Sequence, residues 1–154
     1  MNAISSSVAL GAVIAFVPCA PYAEGPQQGL MMRPADIQWK PSPRVPGLEA
    51  AEIIGSSAKP GPYVQRVKFP AGQVVQAHSH PDDRIYTVIS GTWYIGWGEK
   101  FDESKLTALP PGSLYTEPAK VTHFIKTKED VVVQVSGTGP TATDFVDPAH
   151  APKK

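Results

Sequence analysis

The sequence predicts an all-β fold, a single domain of short strands wound into a barrel or sandwich. Seventeen prolines and 13 glycines in 154 residues are too many for long helices. Residues rich in Val, Ile, Thr, Tyr and Trp gather in runs of four to seven, the length of strands. Turn formers stand between nearly all of these runs. The composition is otherwise that of an ordinary soluble domain, with 42% hydrophobic and 18% charged residues. Fourteen basic residues balance fourteen acidic ones and are scattered, which argues against a nucleic-acid or anionic-membrane surface.

Residues 1–23 carry no charged side chain; Glu24 is the first. Within them, 8–17 is a nearly continuous apolar run, shorter than the roughly 20 residues of a transmembrane helix and of the length of a secretory core. The expectation is an export signal cleaved near Ala23, leaving a periplasmic or secreted protein without cysteine, because Cys19 is the only one. The lack of Lys or Arg before the run and the prolines at 18 and 21 stand against it. A membrane tether or lipid anchor at the N-terminus is the alternative.

Residues 24–49 read as a linker and an extended arm: 25–32 is polar, and three prolines in 41–47 forbid a helix. The strand-like runs follow at 51–54, 63–69, 73–78, 84–90, 92–97, 106–109, 113–116, 122–126 and 131–135. Turns separate them at 59–62 (Lys-Pro-Gly-Pro), 70–72 (Pro-Ala-Gly), 81–83 (Pro-Asp-Asp), 90–91 (Ser-Gly) and 110–112 (Pro-Pro-Gly). One helical turn is expected near 102–105. Residues 138–154 lose periodicity and read as an irregular tail.

Chemistry concentrates on histidine. His78 and His80 flank Ser79, so in a strand both imidazoles project to one side, with Cα atoms about 7 Å apart. That suits two adjacent ligands on one metal, with bonds of about 2.0–2.2 Å. Alone, such a pair is as compatible with a structural or surface role. The surrounding spacing is more specific. Gly72, five residues, His78-Ser-His80 and then Gly91 resemble the first motif of the cupin superfamily, which is Gly, five residues, His-x-His, three or four residues, Glu, six residues, Gly. Pro118-Ala-Lys120-Val-Thr-His123 is similar to the second motif, Pro-x-Gly-x-x-His. The resemblance covers about 50–137, in the manner of small single-domain bacterial cupins of the cupin-2/ChrR-like kind. It implies a cupin jelly-roll β-barrel of about eight strands behind a proline-rich N-terminal arm. It also implies that His78, His80 and His123 hold one divalent transition metal, with Fe, Ni, Zn, Cu and Mn all open. Exchange of N-terminal strands in a homodimer is a further implication.

Three positions depart from the pattern. Arg84 stands where the family has its glutamate ligand, and a guanidinium has no lone pair to offer. Lys120 replaces the second motif's glycine, and Thr127 stands where asparagine is common. The first departure leaves three outcomes open. The site is built of three neutral histidines, or Asp82, Asp83 or Glu117 supplies an oxygen, although acidic turn residues are usually solvated. In the third outcome the permanent cation keeps a dication out.

Strand alternation puts Arg84 on one face with Tyr86 and Val88. If that face lines the barrel, Arg84 can grip a substrate carboxylate or enolate bidentately while Tyr86 donates a proton, which makes the two the candidate catalytic residues. A salt bridge from Arg84 to Asp82, Asp83 or Glu117 accounts for it equally well, and Tyr86 can simply pack. Trp93 and Trp97 read as core or pocket wall. Gln65 and Gln134 read as groups that orient a histidine through its second nitrogen, or as edge-strand residues.

Three function classes remain. The first is a metal-dependent enzyme, dioxygenase-like or isomerase-like, on a small organic acid or dicarbonyl. The second is a non-catalytic module that binds or senses a small ligand or metal. The third is a structural barrel with no occupied metal site. Cupins host many unrelated activities, so the fold alone does not choose.

Overall fold

The computed structural model describes residues 29–42, 45 and 47–151. The apolar segment 1–23, the expected export signal, lies outside the described residues. Among the described residues no helix is long and apolar enough to cross a membrane.

The strands are β1 Lys40–Pro41, β2 Glu49–Ile54, β3 Gly61–Phe69, β4 Val74–Ser79, β5 Arg84–Ser90, β6 Trp93–Trp97, β7 Thr107–Leu109, β8 Leu114–Glu117, β9 His123–Thr127, β10 Val131–Gly139 and β11 Asp144–Phe145. They form two antiparallel sheets, ordered β1-β2-β3-β10-β5-β8 and β11-β4-β9-β6-β7, in the jelly-roll arrangement expected.

Period-two burial explains why these segments pair as they do. On β3 the residues Tyr63, Gln65, Val67 and Phe69 are buried while their neighbours are not. On β10, Val131, Val133 and Val135 lie opposite Phe69, Val67 and Gln65. Val75, Trp93, Ile95 and Ile125 from the second sheet complete a single apolar cluster. Burying one such side chain fully contributes about 1.5–3 kcal/mol, so a one-residue slip that turned a strand over would be costly. Turn chemistry fixes the rest. Gly91 has φ +72°, and a Cβ there would meet the Asp130 carbonyl at 2.4 Å, so the turn from β5 to β6 requires glycine. Thr127 takes the asparagine position without loss: its hydroxyl donates to the Pro70 carbonyl at 2.6 Å and accepts from the Gln73 amide at 3.0 Å.

The expected helical turn is a 3-10 turn at Glu103–Lys105, with Asp102 accepting from the Ser104 amide at 3.0 Å. Pairing also reaches into the extended arm and into the tail expected to be irregular. In the arm 24–49, Lys40 and Pro41 pair with Ala50 and Glu49. In the tail 138–154, β10 runs on to Gly139, and Asp144 and Phe145 pair with Ser79 and His78. Two-residue pairings are set by the sheet edge they meet and leave no period in the sequence.

The β4–β9 register decides which way the histidines face. Val75 pairs with Ile125 and His78 with His123, a three-residue step on β4 against a two-residue step on β9. Unbroken alternation from Val75 would bring Ala77 and Ser79 inward and turn the histidines out. The extra residue is a β-bulge that shifts the phase, so that Val75, His78 and His80 line one interior cavity.

Candidate metal centre

His78 lies on β4, His80 in the turn after it, and His123 opens β9 directly opposite His78. All three are buried, and one ring nitrogen from each lies within 4.8 Å of the other two. Residues 45 positions apart in sequence thus meet at one point, as the two motifs imply.

The second ring nitrogen explains the orientation of each. The Nδ1–H of His78 donates to the Gln76 carbonyl at 2.7 Å, that of His80 to Ala142 at 2.6 Å, and that of His123 to Val121 at 3.2 Å. A carbonyl oxygen only accepts, so the proton of each neutral ring sits on Nδ1 and the lone pair on Nε2. Burial keeps the rings neutral. It pulls His78 down to about 4 and His123 to about 3, and lowers His80 with help from the Arg84 charge. The Nε2 of His123 is buried with no hydrogen-bond partner. Three inward lone pairs, one of them orphaned, are what a divalent transition metal satisfies, and carbonyl partners behind the rings are what such ligands need. These residues fit a metal.

Of the three acidic residues weighed as oxygen donors, Glu117 is the one at the cluster. It ends β8 and is 1% exposed, against the expectation of a solvated turn residue. Its Oε1 lies 3.2 Å from Nε2 of His123 and its Oε2 lies 3.7 Å from Nε2 of His80. Tyr115, itself bonded by Trp93 Nε1 at 2.8 Å, donates to Oε1 at 3.0 Å, while Oε2 has no hydrogen-bond partner. Burial pushes the Glu117 carboxyl up to about 7, with the Arg84 charge opposing. Asp82 instead serves Arg84, Tyr63 and Thr141. Asp83 accepts from the Ala119 amide at 2.8 Å and fixes the loop.

Arg84 and Tyr86 face inward, as strand alternation requires. Arg84 forms its ion pair with Asp82 at 3.4 Å. It also donates to Tyr86 Oη at 3.2 Å, to the Thr141 hydroxyl and to the Ala142 carbonyl at 3.3 Å. Of five guanidinium N–H groups, four are engaged, so a ligand meets one N–H of Nη1 rather than an open fork. Both residues, with His78, His80 and Gln65, form the polar end of a cavity of about 60 Å³ whose walls include Leu48, Val67, Phe69, Val75 and Ile125.

The remaining candidates divide. Gln65 lines the cavity and Gln134 accepts from Arg66 at 3.2 Å; backbone carbonyls, not glutamines, orient the histidines. Trp93 is wholly buried, whereas Trp97 is 42% exposed beside the His123 ring. The contribution of Ala142 left no trace in the sequence, because a carbonyl is common to every residue type.

The sequence profile described as the ChrR cupin-like domain matches residues 27–142. Among solved structures, KdgF from a Halomonas species is 21% identical, with 70% of this chain and 93% of that one covered and a TM-score of 0.54. The polyketide cyclase RemF from Streptomyces resistomycificus is 13% identical, with 80% and 90% covered and a TM-score of 0.63. Salicylate 1,2-dioxygenase from Pseudoaminobacter salicylatoxidans, seen as adducts with gentisate, is 14% identical over 66% of this chain and 29% of that one, with a TM-score of 0.53. At such identities the likeness is one of fold. No curated protein matches the chain in sequence.

Proposed function

The chain belongs to the ChrR cupin-like family, and on that premise we propose that it is a metal-dependent enzyme acting on a small organic acid or dicarbonyl, with cleavage by dioxygen favoured over isomerisation. The observation that carries this reading is the convergence of three neutral imidazoles, each locked in the ligating tautomer by a carbonyl. His78, His80 and His123 would hold one divalent transition metal, which would polarise substrate oxygen atoms and keep positions open for substrate and dioxygen. Nitrogen donors admit Fe, Ni, Zn, Cu or Mn.

The chain's own residues supply the rest. Arg84 presents its remaining Nη1 N–H and a permanent positive charge to an anionic oxygen at the polar end of the cavity. Tyr86 accepts from Arg84, and its own O–H, which lies within reach of the Glu117 carboxyl, can turn to donate to a ligand oxygen. Burial holds the Tyr86 phenol far above its ordinary range, so it keeps that proton at neutral pH. The apolar walls of the cavity suit the carbon skeleton of a small ligand. An extracytoplasmic location, periplasmic or secreted, is part of the proposal and rests on the apolar run at 8–17.

The internal bonding of Arg84 favours a second reading, a module that binds or senses a small ligand or metal without turnover. One experiment separates the two. Protein purified without chelators and reconstituted with Fe(II), Mn(II), Ni(II) or Zn(II) is assayed for oxygen uptake with β-diketones and small carboxylates. The enzyme reading predicts metal-dependent oxygen consumption matched to substrate loss and abolished by His123→Ala. Binding without consumption selects the second reading; no metal and no ligand leaves a structural barrel.

A further inference from the structure

Glu117 and His123 present a contradiction that a proton or a cation must resolve. His123 donates from Nδ1 to Val121, so its Nε2 carries a lone pair, and that lone pair faces a carboxylate oxygen 3.2 Å away. Two acceptors at this separation repel unless something positive lies between them. Besides Tyr115, the Tyr86 hydroxyl and the Arg84 charge act on this carboxylate, but neither lies between it and His123. Glu117 Oε2 and His123 Nε2 are both fully buried and unbonded. Oε1 is held by Tyr115, which Trp93 fixes in turn, so the carboxylate is built into place rather than caught there by chance.

The strand register shows where this carboxylate comes from. Arg84 on β5 and Glu117 on β8 are direct cross-strand partners. The resemblance places a carboxylate at position 84, and the structure has one on the neighbouring strand, beside two of the three histidines, His123 and His80. We propose that Glu117 is a fourth protein ligand of the metal, supplied from β8 where β5 carries arginine. This inference rests on the histidine cluster being a metal site. Adjacent ligands on an ion with bonds of about 2.0–2.2 Å lie about 3 Å apart. The separations of 3.2 Å to His123 and 3.7 Å to His80 therefore require little movement. Four protein ligands on a six-coordinate ion would still leave two positions, one for a substrate oxygen and one for dioxygen.

Co(II) is the probe, added to the full chain and to Glu117→Gln, with affinity read by chelator competition and geometry by the visible absorption bands. The wild type should bind one equivalent, and Glu117→Gln should bind at least about 100-fold more weakly, with altered bands, because ligand loss exceeds the 10–100-fold effect of outer-shell changes. A crystal structure of the Co(II)-loaded wild type gives a second readout that needs no variant, with a Glu117 oxygen expected at about 2.0–2.2 Å from the ion. Equal affinity and unchanged bands in Glu117→Gln, or an oxygen beyond about 3 Å in the loaded wild type, overturns the assignment of Glu117 while leaving the histidine site standing. A wild type that takes up no Co(II) overturns both.

Discussion

Arg84 and Glu117 face each other across the β5–β8 pair, two opposite charges 5% and 1% exposed, yet each turns to a different partner. The guanidinium goes to Asp82 and the carboxylate to His123. This division keeps the permanent cation bonded at the rim of the histidine cluster and puts the anion against it, the order that favours a bound dication.

Replacing Arg84 by Met should therefore leave Asp82 as an uncompensated buried charge. A loss of about 3–5 kcal/mol in the metal-free protein is expected from urea unfolding. Arg84→Lys should recover only part of it, since an ammonium cannot serve Asp82, Tyr86, Thr141 and Ala142 from one rigid fork. A loss below about 1 kcal/mol in the Met variant would show that the pair is dispensable.

Arg84→Glu tests the same position from the side of the metal. It restores a carboxylate on β5 and removes the nearby cation, so chelator competition should show tighter metal binding than in the wild type. Activity on carboxylate substrates should be lost with the guanidinium. If both quantities were unchanged, the guanidinium would be acting on neither metal nor substrate.

Lys120 occupies the glycine position of the second motif with φ +65°, and its amide donates to the His80 carbonyl at 2.7 Å. A left-handed conformation costs an L-residue about 1–2 kcal/mol, while glycine adds back about 0.5–1 kcal/mol of unfolded-state entropy. Lys120→Gly should thus stabilise the protein by roughly 0.5–1 kcal/mol, seen as a higher urea midpoint with unchanged metal affinity. A lower midpoint would mean that the lysine side chain contributes more than its backbone strain removes.

Acid should destabilise the metal-free protein. The three histidines are held below their ordinary range, so their contribution is complete above about pH 6.5 and is lost as pH falls toward the folded values of about 4 for His78 and about 3 for His123. Glu117, raised to about 7, works in the opposite sense, since its contribution is present below the ordinary carboxyl range and lost as pH rises through 7. Near pH 5.5 three proton sites outweigh one, and stability should fall on the order of 2 kcal/mol per pH unit on acidification. Urea titrations between pH 7 and 5 measure it. A flat or rising profile contradicts neutral, buried imidazoles.

Much of this was legible in the sequence, for reasons that particular residues make clear. Alternation along 63–69 and 131–135, broken by Pro- and Gly-rich turns, is a direct imprint of sheets with one buried face. The spacing of Gly72, His78, His80 and Gly91 records a strand and a turn whose geometry tolerates little change. The face presented by His78 was not legible, because the bulge between Val75 and His78 changes hydrogen bonding without changing side-chain pattern. The carbonyl groups of Gln76, Ala142 and Val121 were invisible for the same reason. Glu117 was recoverable in principle. Tyr115 and Glu117 alternate with Leu114 and Thr116, so an inward tyrosine carries the glutamate inward with it. Its place before Pro118 made it resemble a solvated turn residue.

Elemental analysis combined with anomalous scattering on protein purified without chelators tests the histidine cluster itself. One equivalent of a divalent transition metal, with its anomalous peak about 2.0–2.2 Å from Nε2 of His78, His80 and His123, is the expected result. Substoichiometric metal after reconstitution, or a peak lying elsewhere on the molecule, contradicts the cluster as a metal site.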